Sequence, residues 1–178
     1  MSAFVFSVQM LNFPVAAGTS GHLLGGALAA ILLGPWAASL CVAVVLAVQA
    51  LLFADGGLTA LGINIILMAV IPSFVGAGIF GAIRRLFGST RRVTSIGAGV
   101  AAAISVPVAA AAFVVLFAFG GSVDVDLGAL MATMVGVHML IGIGEGLITA
   151  TTIAAVIAAR PDLVRGCAVT SRPLAMAT

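Results

Sequence analysis

Residues 96–119 read IGAGVAAAISVPVAAAAFVVLFAF and contain no charged side chain. A helix of about 20 apolar residues spans the roughly 30 Å hydrocarbon core of a bilayer, so this stretch predicts a transmembrane helix. Similar stretches cover most of the 178-residue chain, which is 63% hydrophobic and 7% charged, with a mean hydropathy of +1.35. No water-soluble core could cover so much apolar surface. The sequence therefore predicts an integral membrane protein of the all-α class.

The few charged residues indicate how the chain crosses the membrane. The seven basic residues are all arginines and form two clusters, Arg84, Arg85, Arg91 and Arg92 first, then Arg160, Arg165 and Arg172. Cytoplasmic loops are enriched in basic residues, so the loop 84–95 and the tail after residue 159 are expected to face the cytoplasm. The acidic turns ADGGLT and GGSVDVD lie one crossing away from these clusters. Both turns are therefore expected to face outward.

Apolar runs between these anchors predict six helices, over 3–17, 21–33, 37–54, 60–83, 96–119 and 128–159. The Gly-Pro pair in LGPW separates the second helix from the third. The second is only about 20 Å long, so it must insert incompletely, thin the bilayer or be sheltered by its neighbours. The first run lacks the basic residues that begin a signal peptide. The resulting organisation is a polytopic transmembrane helical bundle over 1–160 and a cytoplasmic tail over 161–178, with both termini in the cytoplasm.

Four polar residues stand out within the predicted membrane region: His22, Asn64, His138 and Glu145. Such groups are costly in a membrane and usually have a function. His22 is expected to open the short second helix at its outer end, Asn64 lies one turn into its helix, and His138 lies somewhat deeper. These three could line one outward-facing pocket. Imidazole is a common ligand for nickel and cobalt, although one histidine alone does not make a metal site.

His138 and Glu145 are seven residues apart and share one face of the last helix, where Thr149 and Thr152 continue the polar stripe. We interpret Glu145 as a hydrogen-bonding hub that pairs with buried donors. The spacing differs from the His-Glu-x-x-His motif of zinc proteases, which argues against an enzyme. The sequence also lacks the Gly-x-x-x-x-Gly-Lys-Ser/Thr loop that binds nucleotide phosphates.

Three long motifs resemble the signatures of one transporter family, and they occur in the family's order. They are GTSGHLLGGALAAILLGPWAASL, QALLFADGGLTALGINIILMAV and GVHMLIGIGEGLIT. The chain resembles the CbiM/NikM family, the substrate-capturing membrane subunits of energy-coupling-factor cobalt and nickel transporters. The similarity covers most of residues 3–160.

The resemblance implies a non-enzymatic subunit of the inner membrane, with no cofactor of its own. The subunit would capture Co²⁺ or Ni²⁺ on the outer side of the membrane. Captured cobalt would serve cobalamin biosynthesis. A partner transmembrane coupling protein, driven by cytoplasmic ATPase subunits, would then reorient it and release the ion inward. Cobalt and nickel share nitrogen ligands, so both are candidates.

The resemblance also implies roles for individual residues. The family holds the ion with its N-terminal amine, a histidine directly after the first methionine, and a later histidine that matches His22. Asn64 matches an asparagine that borders or braces the site, whereas His138 and Glu145 match positions that support it or the structure.

The start of the chain departs from the family pattern. It begins Met1-Ser2-Ala3 and has no histidine before His22, so we expect it to lack the family's first segment, with the Met-His motif. The chain alone would then keep the scaffold and His22, but it could not form the square arrangement of nitrogen ligands that the family uses. A non-binding assembly or scaffold subunit of a transporter complex therefore stays open as the alternative function.

Overall fold

The computed structural model describes residues 1–14 and 20–164. These residues form six helices and one small antiparallel ribbon, which confirms the predicted all-α bundle. We number the helices in chain order as α1 Ser2–Gln9, α2 Gly26–Leu33, α3 Pro35–Leu52, α4 Leu61–Phe87, α5 Arg91–Gly120 and α6 Leu127–Ala159. The ribbon strands are β1 Asn12–Pro14 and β2 Ser20–His22.

Four of these helices, α3 to α6, are long and apolar enough to cross a bilayer. Helices α1 and α2 have eight residues each, which corresponds to about 12 Å and is too short for a crossing. The predicted number of about six helices is confirmed in the described parts of the chain, and two of the six are too short to cross a bilayer by themselves. The protein is a multi-pass membrane protein with four long helices and two short ones.

The first predicted helix, 3–17, is wrong over residues 10–14, and its residues 15–17 lie outside the described residues. The chain leaves α1 after Gln9 and enters the ribbon, in which Asn12 is paired with His22. Proline has no amide hydrogen for a helical hydrogen bond, and asparagine competes with the backbone for hydrogen bonds, so Asn12 and Pro14 disfavour a longer helix. As a result, His22 ends strand β2 instead of opening a helix.

Helix α2 begins at Gly26 and contacts α3, α4 and α5. Its residues from Gly26 through Ile31 are all buried, so of the three alternatives for this short element the structure supports shelter by neighbouring helices. Glycine permits the close contact with α4, because a Cβ atom on Gly76 would lie 2.5 Å from the Cβ atom of Ala27. The Ser73 hydroxyl of α4 also donates a hydrogen bond of 3.3 Å to the Gly26 carbonyl.

Helix α4 contains a π-helical segment, Ile65–Val70, directly after Asn64. Pro72 follows this segment and cannot donate the usual helical hydrogen bond to the carbonyl of Met68, so the backbone widens before it. Single π-helical turns often occur at functional sites. Here the segment turns Met68 toward a cavity near one end of the bundle.

The connection between α4 and α5 is shorter than the predicted loop 84–95. Arg84 and Arg85 lie in the last turn of α4, and Arg91 and Arg92 lie in the first turn of α5. We call this end of the bundle the basic end. The opposite end carries the turn with Asp55 and the segment before α6, and we call it the acidic end.

The predicted boundary between membrane domain and tail falls close to the end of the last helix. Helix α6 ends at Ala159, and a single 3₁₀ turn, Pro161–Leu163, follows. Residues 165–178 of the predicted tail lie outside the described residues, so its cytoplasmic location stays a prediction.

Candidate metal-binding site

A cavity of about 250 Å³ lies between the helices toward the acidic end of the bundle. Three of the polar residues selected from the sequence line it together: His22 from β2, Asn64 from α4 and His138 from α6. Glu145, the fourth, does not line it. Most of the remaining wall is apolar and includes Leu24, Leu46, Leu67, Met68, Ala109, Phe113 and Met134.

The ring of His22 is oriented by the backbone of α1. Its Nδ1 atom lies 3.2 Å from the carbonyl oxygen of Gln9. A carbonyl oxygen only accepts hydrogen bonds, so Nδ1 carries the proton in this contact, and the neutral ring keeps its lone pair on Nε2. A histidine that binds a metal through one ring nitrogen usually donates from the other in this way.

His138 is oriented in the same manner by its own helix. Its Nδ1 atom lies 2.7 Å from the carbonyl oxygen of Met134, which again assigns the lone pair of the neutral ring to Nε2. A Cβ atom on Gly21 would lie 3.3 Å from this Nε2 atom. The edge of the ring that can bind a metal therefore faces the strand that carries His22.

Glu145 contacts the chain immediately after His22. Its Oε2 atom accepts a hydrogen bond of 2.6 Å from the amide of Leu24, and its Oε1 atom accepts one of 3.0 Å from the amide of Gly25. The side chain is 3% exposed. These contacts agree with the interpretation of Glu145 as a hydrogen-bonding hub, and they connect α6 to the segment between β2 and α2.

Asn64 contacts the acidic turn that forms the rim of the cavity. Its side-chain amide donates a hydrogen bond of 3.3 Å to the carbonyl of Gly56. Asp55 lines the cavity from the same turn, and its backbone amide donates to the carbonyl of Gln49 at 3.2 Å. Asn64 therefore holds the turn that brings Asp55 to the cavity.

Three polar residues of this region, Asp55, Gln49 and Gln9, were not predicted from the sequence. Asp55 was assigned only to an outer turn, and its place in the cavity wall depends on the tertiary fold. Gln49 lines the cavity and is 3% exposed, whereas Gln9 is completely buried and donates a hydrogen bond of 2.8 Å to the Leu24 carbonyl. A signal existed for both glutamines, because an amide inside an apolar run is costly in the same way as a histidine.

The chemistry of the cavity suits a transition-metal cation. Two histidines and one aspartate line it, and imidazole is a good ligand for cobalt and nickel. Within residues 1–14 and 20–164, no three histidine, cysteine, aspartate or glutamate side chains are grouped closely enough to hold a metal ion. An ion at His22 would therefore take further ligands from backbone groups, water or other parts of the protein.

The chain is similar in sequence to known membrane proteins of metal transport. The family model described as "Cobalt uptake substrate-specific transmembrane region", CbiM, matches residues 1–163. A relative from Archaeoglobus fulgidus, provisionally named a fused nickel transport protein NikMN, is 42% identical over 164 residues and is matched over 92% of this chain and 54% of its own length. The cobalt transport protein CbiM of Sorangium cellulosum is 35% identical over 166 residues, which is 92% of this chain and 73% of that protein. The chain thus spans about half the length of the Archaeoglobus relative.

Two solved structures share the fold. A truncated transition metal transporter superposes with a TM-score of 0.74 at 32% identity, over 88% of this chain and 77% of that chain. A transition metal transporter superposes with a TM-score of 0.73 at 33% identity, over 87% of this chain and 72% of that chain. Because the family model matches nearly the whole chain, and its relatives agree with it in sequence and fold, this chain belongs to the CbiM family of cobalt uptake substrate-specific transmembrane proteins.

Proposed function

We propose that the chain is the membrane-embedded substrate-binding subunit of an ATP-driven energy-coupling-factor importer for cobalt or nickel ions. The observation that carries this proposal is the position of His22. Its ring lines a cavity in a member of the CbiM family, and its Nδ1 atom is held by the Gln9 carbonyl in the tautomer that metal-binding histidines use. In this proposal His22 is the metal ligand, and Asn64, His138 and Glu145 support the site.

The distribution of charge favours a cation in the cavity. Asp55 lines the cavity, and Asp124 and Asp126 precede α6 at the same end of the bundle. Within residues 1–14 and 20–164 no arginine lines it, and the arginines of α4 and α5 lie at the basic end. A cavity with negative charge at its mouth and apolar walls raises the local concentration of cations. By the arginine rule this mouth faces outward, where the subunit would capture its ion.

The energy for transport would come from partner proteins. The sequence contains no Gly-x-x-x-x-Gly-Lys-Ser/Thr loop for binding nucleotide phosphates. This motif requires a lysine, and all seven basic residues of the sequence are arginines. The proposal therefore assigns ATP hydrolysis to cytoplasmic ATPase subunits and reorientation to a transmembrane coupling protein. This division of roles rests on the family resemblance.

The test is metal binding by the purified protein in detergent, measured by calorimetry with Ni²⁺ and Co²⁺. It compares this chain, the same chain extended upstream to a Met-His start, and His22→Ala in each. His22→Ala should weaken binding by more than about 100-fold, because even changes behind a ligand typically cost 10- to 100-fold. Thr151→Ala is the control, since Thr151 is exposed on α6 and lies outside the cavity wall, and it should leave binding close to that of the parent.

Two results would overturn the proposal. Binding that survives His22→Ala unchanged would show that this histidine is not a ligand. Absence of binding in both the short and the extended protein would remove metal capture altogether, and the scaffold role would then be favoured.

A further inference from the structure

Glu145 is a buried carboxylate that the proposed binding site does not use directly. It lies in the middle of α6, and in the described parts of the chain it makes no ion pair. A carboxylate in such a place is costly unless hydrogen bonds compensate it. Both of its oxygens accept hydrogen bonds from backbone amides, and α2 begins directly beyond them. The positive end of the α2 dipole therefore also stabilises the negative charge.

The two amides belong to Leu24 and Gly25, which follow His22 by two and three residues. Gln9 holds the same segment from the α1 side, because its backbone carbonyl contacts the His22 ring and its side-chain amide donates to the Leu24 carbonyl. The segment 22–25 is therefore fixed from two directions by elements distant in sequence. The position of the His22 imidazole depends on both.

We infer that Glu145 is a positioning residue, which fixes the His22 imidazole in the cavity through the amides of Leu24 and Gly25 without contacting the ion. This inference rests on the proposed function. Glutamate suits the task because both of its carboxylate oxygens accept. Glutamine would place an NH₂ group opposite one of the two amides, and a donor cannot pair with a donor. Aspartate is one methylene shorter, so it could not reach both amides without movement of the backbone.

The test is Co²⁺ binding by Glu145→Gln in the form of the protein that binds best, with affinity and the visible spectrum of bound Co²⁺ as the two readouts. We expect affinity to fall about 10- to 100-fold, as is typical when the group that orients a ligand is changed. We also expect the visible bands to shift, because a displaced imidazole alters the coordination geometry. Glu145→Asp should behave like Glu145→Gln.

A purely structural role would lower stability without these changes, so the control is a variant that destabilises the protein elsewhere. Ile157→Ala removes a buried side chain, 2% exposed, roughly three turns further along α6. It should lower the thermal midpoint of the metal-free protein and leave affinity and spectrum unchanged.

The outcomes separate this inference from the proposed function. If His22→Ala abolishes binding while Glu145→Gln keeps the parent affinity and spectrum, the positioning role is wrong and metal capture stands. If Ile157→Ala weakens binding as much as Glu145→Gln does, the effect is one of general stability and the inference fails. If His22→Ala has no effect, the proposed function itself is wrong.

Discussion

At the residue scale, a polar residue within an apolar stretch can be recognised from the sequence as a candidate for the site. Its contact partners cannot be recognised in this way. His22, Asn64 and His138 could be selected because each is polar in a stretch that should face lipid or protein, and the fold brings them into one cavity. The contact of Glu145 with Leu24 spans 121 positions, and no local pattern predicts such a pair. The two buried glutamines, Gln9 and Gln49, carry the same signal, because each interrupts an apolar run.

The acidic turn offers a matched pair of substitutions at this scale. Gly56 and Gly57 both adopt positive φ, +74° and +67°, so alanine at either position should cost on the order of 1 kcal/mol. Only at Gly56 would the new Cβ atom meet a neighbour, lying 2.7 Å from the Asn64 amide nitrogen, whereas nothing lies within 4 Å at Gly57. Thermal unfolding in detergent should therefore show a larger loss for Gly56→Ala than for Gly57→Ala. Equal losses would mean that Asn64 does not hold this turn.

At the element scale, the long apolar helices could be predicted and the short elements could not. Length and hydropathy identify α4, α5 and α6, because a bilayer requires one continuous apolar run for each crossing. The region before α3 does not need a continuous apolar run, because α2 is buried by other helices and the ribbon strands hydrogen-bond to each other. The hydropathy of residues 3–17 therefore indicated a helix where the chain forms α1 and a strand.

Alanine substitutions at two glycines of α6, Gly146 and Gly144, should change stability in opposite directions, because only Gly146 lies close to α5. A Cβ atom on Gly146 would lie 2.8 Å from the carbonyl oxygen of Gly99, whereas nothing lies within 4 Å of one on Gly144. Gly146→Ala should force the helices apart and destabilise the protein by about 1–3 kcal/mol. Gly144→Ala should be neutral or stabilising by up to about 1 kcal/mol, because alanine favours helices.

Thermal midpoints of the two variants in the same detergent measure this difference. A loss of stability at Gly144 as large as at Gly146 would contradict the close approach of α5 and α6.

At the scale of the whole molecule, acidic and basic side chains are concentrated at opposite ends of the helical bundle. Asp55, Asp124 and Asp126 lie at the end with the cavity, and the arginines of α4 and α5 lie at the other end. This polarity could be predicted from the sequence because most charged residues of such a chain lie near the ends of the long helices. The cavity itself was not readable in the same way, since five separate elements contribute to its walls. Its proposed role as an ion site depends on their assembly.

The position of a bound ion tests that role most directly. Crystals of the protein, in the form that binds best, would be soaked with Co²⁺ and measured at the cobalt absorption edge. We predict an anomalous peak inside the cavity at about 2.1 Å from a ring nitrogen of His22, the usual distance for imidazole coordination. A peak outside the cavity, or none at His22 under conditions where the protein binds Co²⁺ in solution, would contradict it.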